Sequence, residues 1–451
     1  MRSRLSLAVL ALLVACPLAL RCASNSERAA PLDAPITPPG TVEREPYFVW
    51  MSDTSATIRW WTFQPATPGI RFWTEEGDTV QLVLEESGRK HSFQMSSLTP
   101  ATTYSYQLQI NDTLWSDVAQ FRTFPRPGSK DEFVFLAMAD TGTLSPGQLA
   151  LAERINEEEP ALIIHAGDIA YPDATAAQFT INHFGVYAPI LKRVPLFPSP
   201  GDHEWRTNLA EPYVDAFEPP GGHASGSSFY YAFTYGNVRF ISLDTSDSEE
   251  HAQALDYVGD PSSRQYQWLL VQLSAARGDP GIDWTVVFFH HSPYSASTGF
   301  GGHGSHLPTR RAIAPLMDGY RVPLVFSGHD HDYQRSKPIR SNRIAEDDDG
   351  TVYVVTGGGG GRTTLRGTGA DWFTDFSDQT LQFVRATVDH YTMRLEAVNA
   401  DGQVFDSFEL TIPDERRKPE LLPTEPLTMP ELSTPPAGAA GTAASQRRGS
   451  R

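Results

Sequence analysis

The sequence predicts two folded units in series, an all-β sandwich followed by a larger α/β domain. Three observations predict this. From Pro46 to Thr123 the chain runs in short apolar–polar alternations separated by turn residues, with no helical stretch between them. Beyond Pro125-Arg126-Pro127-Gly128 the pattern changes to short apolar runs alternating with amphipathic helical segments. Several of those apolar runs end in Asp, Tyr or His, the residue types that bind ligands at strand ends of open α/β sheets. A chain of 451 residues, 40% apolar and 20% charged, is long enough for two such cores. Its 36 basic against 54 acidic residues disfavour nucleic acid and anionic membrane surfaces as partners. They do not disfavour a phosphate substrate, because bound metal cations would invert the local field.

Residues 1–22 read as a targeting segment, with Arg2 and Arg4 ahead of an apolar stretch, Leu5 to Ala15, too short to span a bilayer. Leu13-Val14-Ala15-Cys16 resembles a bacterial lipoprotein box, which predicts a lipid anchor at Cys16; a plain secretory signal cut just downstream is the alternative. Both cysteines, Cys16 and Cys22, lie here, so the folded part is expected to carry no disulfide. Residues 23–44, rich in proline, serine and alanine, read as a flexible tether. The sandwich is placed at 45–125, on runs such as Ala56 to Trp61, Ile70 to Trp73 and Thr79 to Leu84. Its aromatic residues come without a cluster of ionisable ones, which favours a packing and spacing module.

The second domain is placed at 130–412. Strands are expected at Phe133 to Met138, Leu162 to Ile164, Val238 to Leu243, Val286 to Phe289, Leu324 to Phe326, Val352 to Val355 and Phe383 to Leu395, with a last one ending near Thr411. Helical periodicity marks Pro146 to Glu158, Ala176 to Lys192 and Ser262 to Ala276. Residues 413–451, dominated by proline, alanine and charge, are expected to be disordered.

The chemistry lies at the strand ends: Asp140-Thr141-Gly142, then Gly167-Asp168-Ile169-Ala170-Tyr171, Gly201-Asp202-His203-Glu204, His290-His291 and Gly328-His329-Asp330-His331. Any one of these could be a turn or a pair of surface histidines; five in series make that improbable. Carboxylate and phenol oxygens mixed with imidazoles suit a pair of first-row transition metals better than calcium or magnesium. In an extended His-x-His both imidazoles share one face and can reach two adjacent ions.

The set D-x-G, G-D-x-x-Y, G-x-H-E, V-x-x-H and G-H-x-H resembles the metallophosphoesterases and, through Tyr171, the purple acid phosphatases within them. Leu98 to Tyr106 likewise resembles the tyrosine-corner segment of a fibronectin type III domain, so the likeness covers both units. It implies a fibronectin III-like sandwich followed by a metallophosphoesterase domain of two β-sheets flanked by helices. It also implies a dinuclear centre, with Fe(III) on Asp140, Asp168, Tyr171 and His331, and Fe, Zn or Mn on Asp168, Asp202, His290 and His329. V-x-x-H selects His290 over His291, which is then behind the ligands or exposed. His203 is the expected proton donor to the leaving group. His303 is a second catalytic candidate, and His291 and His306 join His203 as candidate substrate contacts; for His303 and His306, exposed loop histidines is the alternative reading. The family carries asparagine where this chain has Asp202, a change that adds negative charge beside the second metal.

The resemblance thus implies an exported acid phosphatase acting on phosphomonoesters. The alternatives are a phosphodiesterase or nucleotide pyrophosphatase on the same site, and a catalytically weak metal- or phosphate-binding envelope protein. The expected location is the cell envelope or exterior, with a phosphate ester as partner and any membrane link confined to Cys16; the sequence leaves the oligomeric state open. Gly357 to Gly361 is expected to allow close backbone approach near the site, Glu346 to Gly350 to form a solvated hairpin turn, and Arg335 to be an ion-pair partner and not a phosphate clamp.

Overall fold

The structure, a computed structural model, describes residues 42–83, 87–111, 114–219, 221–246, 256–297, 302–345, 350–361 and 371–412. The targeting segment, most of the tether, the expected turn at 346–349 and the C-terminal tail lie outside these residues.

The N-terminal unit is a sandwich of a three-stranded antiparallel sheet (Val42–Met51, Ser55–Ala66, Gly88–Ser96) and a four-stranded one (Val80–Val83, Gly69–Trp73, Thr103–Gln109, Ala119–Arg122). Alternation turns Ile58, Trp60, Phe93, Phe72, Tyr106 and Phe121 inward, and all are buried. The Tyr104 hydroxyl accepts from the Thr99 N–H at 2.9 Å, closing the corner that Leu98 to Tyr106 resembled. One boundary needs correction: the tether does not reach Arg44. Val42 and Arg44 already pair with Thr62 and Trp61. The Arg44 guanidinium lies 3.5 Å from the Trp61 ring and 4.2 Å from that of Phe184, so burying its stem and stacking its charge outweighs the freedom of a linker.

The second unit stacks two sheets. The six-stranded one runs Leu196–Ser199, Leu162–Ala166, Phe133–Met138, Gln382–Asp389, Thr392–Asn399, Val404–Thr411. The seven-stranded one runs Tyr231–Tyr235, Val238–Ser242, Trp284–His291, Leu324–Gly328, Val352–Thr356, Tyr333–Ser336, Thr374–Asp378. Between them Phe135, Ile164 and Phe197 pack with Phe233, Phe240, Phe288 and Phe326 in an apolar core. The helices Pro146–Glu157 and Gly185–Leu191 cover the outer face of the first sheet through Leu151, Ile155, Tyr187 and Ile190. The helices Arg264–Gly278 and Leu307–Tyr320 cover the second through Leu269, Leu273, Ile313 and Met317. Each sheet centres on parallel strands, so the strand ends expected to carry ligands all open on one edge.

Two local readings differ from the structure. Phe383 to Leu395 is a hairpin of two strands, turning at His390 with φ of 54°, where no glycine marked the turn. Helix Leu307–Tyr320 has no counterpart among the expected helices, because Pro308 and Pro315 interrupt its pattern.

Candidate metal centre

Each ligand-type residue leaves the C-terminal end of a strand whose apolar body anchors it between the sheets. Asp140 and Asp168 follow Phe133–Met138 and Leu162–Ala166; both take left-handed backbone, φ 56° in each case, which turns their carboxylates into the cleft. Asp202 and His203 begin the short helix Asp202–Trp205 after strand Leu196–Ser199. His290 is the last residue but one of Trp284–His291, and His329 and His331 follow Leu324–Gly328.

Their donor atoms converge in two overlapping groups. In the first, the Tyr171 hydroxyl oxygen lies 2.9 Å from Asp140 Oδ1, 2.9 Å from Asp168 Oδ2 and 3.0 Å from His331 Nε2. In the second, His290 Nε2 lies 3.4 Å from Asp168 Oδ2, 3.3 Å from Asp202 Oδ1 and 3.3 Å from His329 Nδ1. His329 Nδ1 is 3.4 Å from the same Asp202 oxygen. Asp168 Oδ2 therefore belongs to both groups.

The donor chemistry itself tests whether cations fit. One hydroxyl proton on Tyr171 can serve only one of the two carboxylate oxygens beside it, so the lone pairs of the other face those of the phenol oxygen. In a buried setting that crowding is unfavourable unless a positive charge sits among them. The Nδ1–H of His290 donates to the Ala166 carbonyl at 2.9 Å, which turns Nε2 towards the carboxylates, the usual outer-shell bond of a ligating imidazole. Burial opposes charge on His290, but the Asp168 and Asp140 carboxylates overcome it and raise its pKa well above the ordinary value. The field that draws a proton to this Nε2 draws a metal cation to the same place. For Asp168 burial pushes upward, yet the His290 charge beside it brings the carboxyl below its usual range. Tyr171 is pushed up by burial and by the Asp140 and Asp168 charges, so its phenolate requires a strong local cation. These residues fit a dinuclear metal centre, in which Asp168 would be the residue placed to serve both sites.

The remaining histidines take distinct places. His203 donates from Nδ1 to the Pro172 carbonyl, which leaves Nε2 facing the site, 3.7 Å from Asp168 Oδ2 and 3.9 Å from Asp202 Oδ2. His303 is exposed; its ring centroid is 3.9 Å from that of His329, and its backbone N–H donates to Asp330 Oδ1 at 2.7 Å. Although the side chain reaches solvent, the part of its ring packed on His329 loses hydration, and this together with the nearby His329 lowers its pKa to about 4. His291 is neither exposed nor open to substrate. It is 5% exposed, with Nδ1 3.2 Å from Thr245 Oγ1 and its ring 4.5 Å from His329, and burial lowers its pKa well below the ordinary value. Its place is behind the ligands, and its expected substrate contact is withdrawn. His306 sits at the start of helix Leu307–Tyr320, where its Nδ1 accepts from the Thr309 N–H at 3.4 Å and lies 2.6 Å from Thr309 Oγ1, because the first turn needs an acceptor for its free N–H groups.

Sequence reasoning missed Glu204, Arg206 and Asp330. Glu204 is fully buried and accepts from the N–H groups of Gly201 (2.7 Å), Asp168 (2.8 Å) and Ile169 (2.9 Å), locking two ligand loops together. A carboxylate just inside a short helix was the available signal. Asp330 and Asp332 alternate with His329 and His331 and point the other way, to Ser295 and Ser297. Gly357, Gly359 and Gly361 line the opposite wall. A β-carbon there would stand 2.2 Å from the Asp330 carbonyl oxygen, 2.1 Å from that of Ala139 and 2.5 Å from His331 Nδ1 respectively. Arg335 makes a two-point pair with Asp406, at 2.8 and 3.1 Å, away from the ligands.

A two-sheet α/β sandwich with this donor set defines a metallophosphoesterase. Residues 133–333 match the calcineurin-like phosphoesterase family and residues 46–123 match the purple acid phosphatase N-terminal domain. The chain thus carries a purple acid phosphatase N-terminal domain followed by a calcineurin-like phosphoesterase domain. It is 29% identical over 273 residues to an uncharacterized protein of Mycobacterium tuberculosis, covering 54% of this chain and 50% of that one. It is 26% identical over 285 residues to purple acid phosphatase 22 of Arabidopsis thaliana, covering 60% of this chain and 59% of that one. The alignments thus span about half the length of these curated relatives. The fold is similar to that of purple acid phosphatase PPD1 from yellow lupin seeds, with a TM-score of 0.70, 21% identity, and 91% of this chain and 78% of that chain covered.

Proposed function

We propose that this protein is an exported acid phosphatase that hydrolyses phosphomonoesters at a dinuclear centre of Fe(III) with Fe, Zn or Mn. One observation carries the reading: Asp168 Oδ2 is shared between a group containing Tyr171, Asp140 and His331 and a group containing Asp202, His290 and His329. Hard phenol and carboxylate oxygens with one imidazole suit the trivalent ion; two imidazoles with two carboxylates suit the divalent one. Two such cations supply an acidified water and positive charge for a phosphoryl group in transfer.

The chain's own residues do the rest. Glu204 fixes the loops of Asp168 and Gly201, so the carboxylates are placed before substrate arrives. His203 keeps its Nδ1 proton on Pro172 and presents Nε2, the atom from which a proton can pass to the departing alkoxide. The exposed His303 ring over His329 offers a polar contact at the mouth. Export rests on residues 1–22, and the acid optimum on the trivalent ion assigned to Tyr171.

The test is hydrolysis of p-nitrophenyl phosphate against bis(p-nitrophenyl) phosphate from about pH 4 to about pH 9, with iron-loaded protein and His203→Ala as control. A monoester preference with an acidic optimum, lost in the control, is the expected result. A diester preference would replace the reading with a phosphodiesterase. Metal binding without turnover of either ester would replace it with a binding role.

A further inference from the structure

Asp202 differs from the other two carboxylates of the centre. Asp140 and Asp168 are buried, whereas a third of the Asp202 side chain is exposed, and its two oxygens face different partners. Oδ1 faces inward, 3.3 Å from His290 Nε2 and 3.4 Å from His329 Nδ1. Oδ2 faces outward and accepts from Arg206 Nη2 at 3.0 Å. Arg206 is one helical turn on, at the end of the helix that Asp202 begins, so the spacing alone brings the pair together. Its other arm, Nη1, donates to the Pro172 carbonyl at 3.2 Å, the same oxygen that takes the His203 Nδ1 proton. The guanidinium is thus held at two points, one on each side of the proton-donating imidazole.

We propose that Arg206 is a positioning residue that makes Asp202 a one-oxygen ligand of low effective charge. A carboxylate free to turn can present both oxygens to a cation. Here the planar fork occupies the second oxygen, and its positive charge offsets the carboxylate at close range. The second cation then keeps more of its charge for an incoming phosphoryl group than an unrestrained aspartate would allow. Without Arg206, the site should hold a divalent metal more tightly and phosphate more weakly.

The inference rests on reading the centre as a pair of cation sites, yet its test needs no turnover. Zinc affinity is measured on the full chain by chelator competition, and inorganic phosphate affinity on the metal-loaded protein by calorimetry, for the native protein, Arg206→Gln, Asp202→Asn and the double variant. Arg206→Gln is expected to tighten zinc and weaken phosphate, each by on the order of three- to tenfold. In the Asp202→Asn background the same change should alter neither. Unchanged affinities in Arg206→Gln, weaker zinc, or an equal effect in both backgrounds would overturn the proposal. Absence of hydrolysis with these affinities intact would instead defeat the phosphatase reading and leave this one standing.

Discussion

Replacing Gly201 by alanine puts the placement of Asp168 to a direct test. A β-carbon on Gly201 would stand 2.2 Å from Asp168 Oδ1 and 2.5 Å from the Asp168 amide nitrogen, where real β-carbons keep at least 3.0 Å. Neither neighbour can yield locally. The Asp168 N–H is bound to Glu204 at 2.8 Å, and Asp168 Oδ1 accepts the His203 N–H at 3.0 Å. The shared carboxylate must therefore move by about 1 Å, a displacement worth about 100-fold in rate at a site that works by positioning. Overpacking a filled region costs about 1–3 kcal/mol of stability in addition. Gly278→Ala is the control: nothing lies within 4 Å of its β-carbon, and it closes helix Arg264–Gly278, so a gain of up to about 1 kcal/mol is expected. Steady-state hydrolysis of p-nitrophenyl phosphate and urea unfolding report both quantities. A Gly201→Ala protein with native rate and native midpoint would refute the claim that Asp168 is pinned between Gly201, Glu204 and His203.

Acid stability should depend on His165, which is fully buried with Nε2 3.0 Å from Thr141 Oγ1, and whose pKa burial lowers to about 3. Below the unfolded value of about 6.5 the unfolded chain takes a proton that the folded one refuses, so stability falls with decreasing pH by about 1.4 kcal/mol per unit until about pH 3. Urea unfolding of His165→Gln should lose about 2 kcal/mol less than the native protein between about pH 7 and about pH 5; parallel losses would show that another group is responsible. Asp330→Asn leaves an acceptor for the His303 N–H but disturbs the bond from Ser295, and should cost about 1–3 kcal/mol while raising KM more than it lowers kcat. A fall in kcat alone would argue that Asp330 acts on the metal ligands and not on the His303 loop. Arg335→Met strands the buried Asp406, which Tyr333 also approaches at 2.8 Å, so thermal unfolding should reveal a loss of about 3–5 kcal/mol with KM unchanged. A weakened KM would make Arg335 a substrate contact.

The donor set was legible because strand ends are marked twice, by a short apolar run before them and by glycine after or among the ligands, as at Gly167-Asp168 and Gly328-His329. What the sequence hid was the direction of each side chain. His290 and His291 are adjacent in one strand, so pleating sends one to the centre and the other to Thr245, and only the packed sheets decide which. The capping role of His306 was hidden because the Thr309 N–H becomes a first-turn donor without a helical acceptor only once Leu307–Tyr320 forms across two prolines. Glu204 looked like a neighbour of the ligands, but its three N–H partners come from two loops that lie far apart in the chain. Arg206 was closest to being readable, since helical spacing from Asp202 was there to see.

The N-terminal sandwich reaches the centre through one continuous set of contacts. Arg44, buried between Trp61 and Phe184, donates to Thr180 Oγ1 at 2.8 Å. Thr180 lies in the π-helical stretch Phe179–Phe184, where the extra residue per turn changes which side chains face inward. In that stretch Thr180 faces the sandwich while Asn182 faces the opposite way, donating to the Tyr171 and Gly142 carbonyls at 3.0 and 3.1 Å. Tyr106 donates to the Lys192 carbonyl at the end of helix Gly185–Leu191, at 2.7 Å, and Tyr47 to the Ala216 carbonyl in the later helix Glu211–Phe217, at 3.1 Å. A regular α-helix here would rotate Asn182 away from Tyr171 or Thr180 away from Arg44. The irregular turn thus lets one short segment bind the sandwich on one side and the Tyr171 loop on the other, which gives the sandwich a mechanical link to the candidate metal centre.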